Sequence, residues 1–137
     1  MRDRPSWERY GLQLATVAAG RSEDPHVQVG AVVFRADNSV AGIGYNGAPS
    51  GITINWEDRD RRRPWVIHAE VNALRWVTPT EACGGWIATT HHPCAACLTV
   101  IASYGLKRLV YRDLPAAYYG DVAGVCEALG ITALHAT

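Results

Sequence analysis

The order of apolar and polar residues predicts a helix near the start of the chain. Residues 5–20, PSWERYGLQLATVAAG, place large apolar side chains at the three- and four-residue spacing of one helical stripe. Pro5 suits the first turn of such a helix, and Gly20 suits its end. The stripe that we expect to face the core consists of Trp7, Tyr10, Leu14 and Val17.

Beyond this helix the pattern is that of two strands and a loop. Two runs rich in β-branched residues flank the turn-forming pair Asp37 and Asn38, so we predict a hairpin with strands over 27–35 and 39–45. Residues 46–65 contain glycines, prolines and many polar side chains, which predicts a long polar loop.

The second half of the chain alternates helical and strand patterns. Helices are predicted over 66–77, 94–105 and 117–130, and strands over 85–90, 107–112 and 131–134. Strand–helix–strand units favour parallel pairing with right-handed crossovers. We therefore expect the α/β class, as a three-layer α/β/α sandwich with one mixed five-stranded sheet and helices on both faces. A chain of 137 residues suits one domain with a substantial core, so we expect a single domain over 1–137.

Composition and charge narrow the function classes. With 48% hydrophobic and 19% charged residues, the chain has the composition of a soluble globular protein. Its formal net charge of zero argues against polymeric nucleic acid as a partner, because neutralising phosphates needs a basic surface. The first residues lack the apolar core of a signal peptide, and no stretch reaches the roughly 20 apolar residues of a membrane span. We therefore expect a cytoplasmic protein with no membrane partner, whose four cysteines are metal ligands or core thiols rather than disulfides.

HHPCAAC, residues 91–97, is the densest cluster of candidate metal ligands. His91 and His92 are adjacent at a strand end, so we expect their side chains to point to opposite sides and not to share an ion. Cys94 and Cys97 are one helical turn apart and share a face. The positive end of the helix dipole also favours thiolates in the first turn. This pair supplies two ligands, and the chain contains no second C-x-x-C.

The third ligand is sought among the remaining histidines. His68 stands out because Glu70 follows it by two residues at a predicted helix start. Two helix starts would then face one point beside the strand ends, where open α/β sheets hold their sites. His68, Cys94 and Cys97, with a fourth position open to water, make a catalytic zinc site rather than a closed structural one. The Glu70 carboxylate would serve as general base.

Each of these residues also has an ordinary structural interpretation. The cysteines and His68 would otherwise be core thiols and an unrelated histidine, and Glu70 a helix-capping carboxylate. The segment EDRDRRR, residues 57–63, is most simply a solvated loop of mixed charge, and an arginine from it reaching a substrate or effector phosphate is the alternative. Cys83 and Cys126 are isolated in the sequence and are expected to be structural.

The two motifs His68-Ala69-Glu70 and Pro93-Cys94-Ala95-Ala96-Cys97 correspond to the H-x-E and P-C-x-x-C signature of zinc-dependent nucleobase deaminases. The chain resembles the cytidine/deoxycytidylate deaminase superfamily, and within it most closely the deoxycytidylate (dCMP) deaminases. The resemblance covers residues 5–135, through RSEDPHVQVGAVV (21–33), GYNGAPSGI (44–52), HAEVNAL (68–74) and YGLKRLVY (104–111). The chain departs from the family at His91 and His92, where other residues commonly precede the P-C pair. It also lacks a long insert with extra Cys and His, so one zinc ion is expected.

The resemblance implies roles for further residues. It makes His68, Cys94 and Cys97 the zinc ligands and Glu70 the proton shuttle, and Asn46 resembles the asparagine that contacts the sugar. Further implied substrate contacts are the backbone of Ala69, an aromatic wall from Tyr118 or Tyr119, and the segment of Arg21, Ser22 and Asp24, for which capping and turn formation are equally good explanations. In some family members GYNG belongs to an allosteric site for dCTP and dTTP. The resemblance therefore permits effector binding at Gly44, Tyr45 and Gly47, with packing as an equally good explanation for Tyr45. His91 and His92 are expected to be surface residues or to act indirectly at the site, and direct contact with the substrate is the alternative.

The function implied by the resemblance is zinc-dependent hydrolytic deamination of dCMP to dUMP and ammonia, which supplies dTTP synthesis. The alternatives within enzymes are the same chemistry on dCTP, a cytidine nucleoside, a 5-modified deoxycytidylate or another aminated heterocycle. The alternative outside enzymes is a non-catalytic, zinc-stabilised nucleotide-binding subunit, against which the intact Glu70 argues. Family members are commonly oligomers, so the expected partners are a small-molecule nucleotide and further copies of the chain.

Overall fold

The computed structural model describes residues 2–115 and 120–137. Within these residues its helices are α1 (Trp7–Ala19), α2 (Arg59–Arg62), α3 (Ala69–Leu74), α4 (Pro79–Ala82), α5 (Ala95–Ser103) and α6 (Val122–Leu129), and a 3-10 turn follows α2 at Arg63–Trp65. The strands are β1 (Gly30–Phe34), β2 (Val40–Tyr45), β3 (Trp86–His91), β4 (Arg108–Asp113) and β5 (Thr132–His135).

The strands form one mixed sheet in the order β2-β1-β3-β4-β5. Strand β1 lies antiparallel to both β2 and β3, whereas β3, β4 and β5 run parallel to one another. The parallel neighbours are those connected through α5 and α6, as strand–helix–strand units require. The predicted mixed five-stranded sheet is therefore confirmed. Because β3 ends at His91, α5 begins at the edge of the sheet where the carboxyl ends of the parallel strands lie.

The core lies on both faces of the sheet, so the predicted three-layer sandwich is confirmed. Side chains of β1 alternate between the faces: Val32 and Phe34 pack with α1, whereas Ala31 and Val33 pack with α3, α5 and α6. All five residues of β1 are buried. Burial of each large apolar side chain contributes about 1.5–3 kcal/mol, so β1 stabilises both helical layers at once.

The apolar stripe predicted for α1 is wrong at Trp7, Tyr10 and Val17, which are exposed, although the helix itself is present and Leu14 packs against the core. Val17 is 73% exposed, while small residues face the sheet. A Cβ atom added at Gly30 would overlap the carbonyl oxygen of Ala15, so the backbones of α1 and β1 nearly touch. Side-chain size therefore selects the inner face of the helix, and its buried residues are Gly11, Leu12, Ala15, Ala18 and Ala19.

Helix α3 also lies close against β2. A Cβ atom at Gly44 would lie 2.8 Å from the carbonyl carbon of Asn72 and 2.9 Å from the carbonyl oxygen of Ala69. Both atoms belong to the backbone of α3, which has no rotamer to change. The first glycine of GYNG therefore packs a helix against a strand, and the position of the residues at the start of α3 depends on it.

The loop predicted for residues 46–65 is wrong in its last third, which contains α2 and the 3-10 turn. Asp58 caps α2, since its side chain accepts hydrogen bonds from the backbone N–H groups of Asp60 and Arg61. Local capping chemistry thus converts a charged segment into a helical turn.

The helix predicted over 66–77 is shorter than expected at both ends. Ile67 is held in extended conformation because it forms an antiparallel bridge with Gly47. At the other end, Thr78 forms a capping box with Glu81 and starts the separate helix α4.

The other predicted elements are present with shifted ends. The strand expected over 27–35 begins only at Gly30, because Val27 and Val29 use backbone groups to bind the Asn46 side chain. The helix expected over 117–130 is described from Val122, and residues 116–119 lie outside the described part of the chain.

No helix in the described ranges has both the length and the apolar character needed to cross a lipid bilayer.

We expect Gly44→Ala to lower the free energy of unfolding by about 2–3 kcal/mol, near the upper end of the usual cost of overpacking. The reason is that the new methyl group meets the backbone of α3. Gly47→Ala, from the same GYNG stretch, is the matched control, because its Cβ would meet only the flexible carboxylate of Glu23 at 3.3 Å. Denaturant unfolding of both variants measures the difference, and equal stabilities would contradict a packing function for Gly44.

Candidate active site

Two helices begin at residues of the predicted metal site. His68 is the N-cap of α3 and Cys94 is the N-cap of α5, both with extended backbone dihedrals. Neither side chain caps its own helix. Cys97 lies one turn into α5 and is only 3% exposed. The side chains that begin the two helices can therefore turn toward a shared partner.

His68, Cys94 and Cys97 bring their ligand atoms together. Nδ1 of His68 lies 3.2 Å from Sγ of Cys97 and 3.7 Å from Sγ of Cys94, and all three atoms lie within 4.8 Å of one another. Zinc–sulfur bonds of about 2.3 Å and zinc–nitrogen bonds of about 2.0–2.1 Å at tetrahedral angles place nitrogen and sulfur ligands about 3.5 Å apart. The donor set and its spacing thus fit a zinc ion with three protein ligands, the number that catalytic zinc sites use.

The protonation of this group also suits metal binding. Hydrogen bonds from Cys97 and His68 lower the pKa of the Cys94 thiol to about 3. The hydrogen bond to Cys94, together with burial, raises the pKa of Cys97. The same Cys94 thiolate raises the pKa of His68, against the opposing effect of burial. One thiolate is therefore present at neutral pH, and binding of a metal by both sulfurs releases the remaining proton.

Glu70 is the second residue of α3 and is 3% exposed. Burial raises the pKa of its carboxyl group, opposed by its own backbone N–H and by the nearby His68. A carboxyl group with a raised pKa exchanges protons closer to neutral pH than an ordinary glutamate does.

A cavity of about 400 Å³ opens above these residues, a volume within the usual range of about 300–1,000 Å³ for small-molecule sites. Its walls are formed by Asp24, Val27, Val29, Asn46, Arg59, Arg62, Arg63, Val66, His68, Ala69, Glu70, Cys94 and Pro115. The buried carboxyl group of Glu70, two of the candidate metal ligands and three arginines therefore line the same cavity.

Three of the predicted substrate contacts lie in this cavity: Asp24, Asn46 and Ala69. The Asn46 side chain is held on both sides, since its Oδ1 accepts from Val29 N at 2.8 Å and its Nδ2 donates to Val27 O at 3.0 Å. Its Nδ2 also lies 3.3 Å from a carboxylate oxygen of Asp24. These bonds fix the orientation of the amide within the cavity wall.

Other predicted residues lie outside the cavity wall. Ser22 donates its hydroxyl to the carbonyl oxygen of Asn46 at 2.8 Å, and the Arg21 guanidinium lies 6.0 Å from the centre of the Tyr45 ring. Gly44 packs against α3, and Gly47 pairs with Ile67. The predicted aromatic residues Tyr118 and Tyr119 fall outside the described residues.

The two histidines before Pro93 do not join the metal group. His91 is half-buried, with Nδ1 3.0 Å from the hydroxyl of Thr90. His92 is 3% exposed, and its Nδ1–H donates to the carbonyl oxygen of Pro93 at 2.9 Å. His92 therefore supports the loop that leads to Cys94.

The cavity wall contains residues that had only a weak sequence signal or none. Val27, Val29, Val66 and Pro115 are ordinary apolar residues. Arg59, Arg62 and Arg63 carried a signal, as part of the charged segment before the predicted catalytic helix, but the sequence did not distinguish a wall of the cavity from a solvated loop.

The geometry and the signature together define a zinc-dependent deaminase site. The family model described as the cytidine and deoxycytidylate deaminase zinc-binding region matches residues 5–113, and the chain belongs to this family. The predicted family, fold and zinc cofactor are thereby confirmed.

Individual relatives are deoxycytidylate deaminases. The enzyme of Mycobacterium phage D29 is 37% identical over 123 residues, which cover 79% of this chain and 95% of the phage protein. The Homo sapiens enzyme is 34% identical over 115 residues, which cover 78% of this chain and 65% of the human protein. The crystal structure of the dCMP deaminase of cyanophage S-TIM5 in complex with dCMP and dUMP has a TM-score of 0.83 and 29% identity, covering 98% of this chain and 100% of that chain.

We expect Cys97→Ser to weaken zinc binding by more than about 100-fold, because loss of a thiolate ligand should exceed the roughly 10–100-fold effect of losing a hydrogen bond to a ligand. Cys83→Ser is the matched control, since Cys83 is exposed and outside the ligand group. Zinc content after dialysis against a weak chelator is the measurement. Retention of zinc by Cys97→Ser at the level of the control would exclude Cys97 as a ligand.

Proposed function

We propose that the protein hydrolyses the 4-amino group of a cytosine deoxynucleotide, converting dCMP to dUMP and ammonia in one domain over residues 1–137, and that this reaction supplies dTTP synthesis. The family match and the named activities of the relatives support the reaction class. The observation that carries it in this chain is the buried Glu70 beside the His68, Cys94 and Cys97 group, at the wall of one cavity.

The metal ligands and Glu70 have separate tasks in this proposal. When held by His68, Cys94 and Cys97, zinc supplies Lewis acidity that lowers the pKa of water from about 15.7 toward 7. Hydrolysis of the amine transfers two protons from water, one to ring N3 and one to the departing ammonia. Glu70 lines the same cavity and is buried beside the ligands, and its raised pKa allows it to accept and return a proton at each step.

The cavity wall supplies positioning. The backbone of Ala69 begins α3 between His68 and Glu70, where it can orient the pyrimidine ring. The Asn46 amide, fixed by its bonds to Val27 and Val29, presents a rigid polar group to the sugar. A site whose polar groups are already oriented loses little entropy when it holds its substrate.

The wider proposal concerns partners and compartment. We propose a homo-oligomer because large apolar side chains stand at the surface, with Trp76 89% and Ile43 54% exposed. The exposed Arg21 beside Tyr45 supports regulation by dCTP and dTTP, since it offers a cation to an effector phosphate. A reducing cytoplasm is proposed because the ligand thiols of Cys94 and Cys97 must stay reduced to bind zinc.

We expect Glu70→Gln to keep its zinc and to lose about 10²- to 10⁴-fold in kcat, the usual contribution of a general acid–base group. The amide keeps the shape of the side chain and removes the exchangeable proton. Glu127→Gln, an exposed position on α6, is the control for the change of charge. Zinc content and ammonia release are measured on the same preparations, and a kcat for Glu70→Gln close to that of the control would remove Glu70 from the mechanism.

We also expect dCMP to have the highest kcat/KM in a panel with deoxycytidine, CMP, dCTP and a 5-substituted dCMP. Ammonia release is measured for each compound, with and without added dCTP and dTTP. Preference for another compound would replace dCMP in the proposal while keeping the chemistry. Absence of ammonia release from every compound, in protein that contains zinc, would favour the non-catalytic binding subunit.

A further inference from the structure

The loop between β3 and α5 leads to the first cysteine ligand, and His92 lies within this loop. The backbone N–H of His92 donates to the carbonyl oxygen of Asp113 at 2.8 Å, which ties the loop to the end of β4. The side chain is only 3% exposed. His92 also stands where the chain departs from the family pattern, so its function has to be inferred from its contacts in this chain.

The His92 ring contacts three parts of the structure. Its Nδ1–H donates to the carbonyl oxygen of Pro93 at 2.9 Å, since a carbonyl oxygen can only accept. In a neutral ring Nε2 is then an acceptor, and it lies 4.0 Å from Sγ of Cys126 on α6. The ring also packs on Tyr111 of β4 in a T-shaped arrangement, with the ring centres 4.7 Å apart. The ring therefore joins the loop to both α6 and β4.

Cys126 is a suitable partner for Nε2 of His92. The thiol is buried, and burial raises its pKa. It therefore keeps its hydrogen at neutral pH and can donate it weakly to the ring nitrogen. With a contact at each ring nitrogen, the orientation of the ring is defined, and its Nδ1–H stays directed at the Pro93 carbonyl oxygen.

The Pro93 carbonyl group belongs to the peptide that precedes the ligand Cys94. Helix α5 begins its own hydrogen bonds at the next carbonyl, where Leu98 N donates to Cys94 O at 2.9 Å. Pro93 is buried, and a buried carbonyl group needs a hydrogen-bond donor. Because a peptide group is planar, a bond to this oxygen also fixes the direction of the N–Cα bond of Cys94. The Cys94 side chain thus starts from a fixed place, with Sγ 3.7 Å from Nδ1 of His68.

We propose that His92 is a positioning residue of the zinc centre, which holds the Pro93 carbonyl group and thereby sets the place of the Cys94 sulfur relative to the other two ligands. Residues that orient metal ligands commonly account for about 10- to 100-fold in metal affinity. His92 acts through the backbone, one step further from the ion, so we expect an effect of about 10-fold, the lower end of that range. The inference goes beyond the proposed reaction, because it concerns the ion whichever cytosine compound is the substrate.

Two substitutions separate the hydrogen bond of His92 from the packing of its ring. His92→Asn keeps a donor, because the amide nitrogen can take the place of Nδ1, but it leaves part of the ring volume empty. His92→Phe fills that volume and keeps an aromatic contact with Tyr111, but it removes the donor to the buried Pro93 carbonyl group. The matched control is His135→Phe, since His135 also packs on Tyr111, with ring centres 5.4 Å apart, but is exposed on β5.

Zinc affinity is measured by competition with a chelator, and the absorption spectrum of the cobalt-substituted protein reports the sulfur ligands. We expect His92→Phe to bind zinc about 10-fold more weakly than wild type and to change the cobalt spectrum. His92→Asn and His135→Phe should match wild type in both measurements. A function in packing alone predicts the reverse order, because Phe replaces the ring volume better than Asn does. The inference is overturned if His92→Phe matches wild type, or if His92→Asn binds zinc no better than His92→Phe.

A second measurement needs no substitution at His92. Nitrogen-15 NMR of the zinc-loaded wild-type protein with labelled histidine identifies which ring nitrogen carries hydrogen. We expect hydrogen on Nδ1 of His92, whereas hydrogen on Nε2 alone would refute the inference, because Nδ1 could not then donate to Pro93. None of these measurements depends on ammonia release. Failure of the proposed deamination would therefore leave this test intact, and failure of the inference would leave the deamination standing.

Discussion

The close contact between the backbone of α3 and the glycines of β2 determines where the active site forms. Side chains at Gly42 and Gly44 would overlap the backbone of α3, so the helix rests directly on the strand. Its first turn then carries His68 and Glu70 to the edge of the sheet at which β3 ends and α5 begins. A small outward shift of α3 would separate its histidine from the two cysteines, and the ligand geometry would be lost.

Burial and hydrogen bonding then shift the pKa values of the residues at these two helix starts. Glu70 and Cys97 are both 3% exposed. Burial raises the pKa of Glu70, and the hydrogen bond with Cys94, together with burial, raises the pKa of Cys97. Cys94 is less enclosed and is held as a thiolate by hydrogen bonds from Cys97 and His68. Groups of the same centre are thus driven toward opposite protonation states, which places a metal-binding thiolate next to an acid that can carry a proton. Such a separation of pKa values is a common property of acid–base active sites.

The orientation of the mixed-charge residues 57–63 depends on contacts with distant parts of the chain. Their local order of acids and arginines is that of a solvated loop, and the Asp58 cap explains only that a helical turn forms. Two contacts between distant residues orient the turn. Gly47 and Ile67 form a β-bridge, and the carbonyl oxygen of Trp56 is contacted by both His26 and Arg62. These contacts orient the turn so that Arg61 pairs with its own capping residue while its neighbours line the cavity.

The amino-acid sequence was sufficient for the properties that depend on neighbouring residues or on residue chemistry. The C-x-x-C spacing places two thiols on the first turn of α5, and the β-branched runs predict the strands. The motifs H-x-E and P-C-x-x-C identify the types of metal ligand. Each of these properties depends on local geometry or residue type alone. The inner face of α1, the packing function of Gly44 and the inward direction of Arg62 could not be inferred in this way. They depend on how closely two segments distant in the chain approach, and that distance is set by side-chain volume and by hydrogen bonds formed only when the whole sheet is assembled.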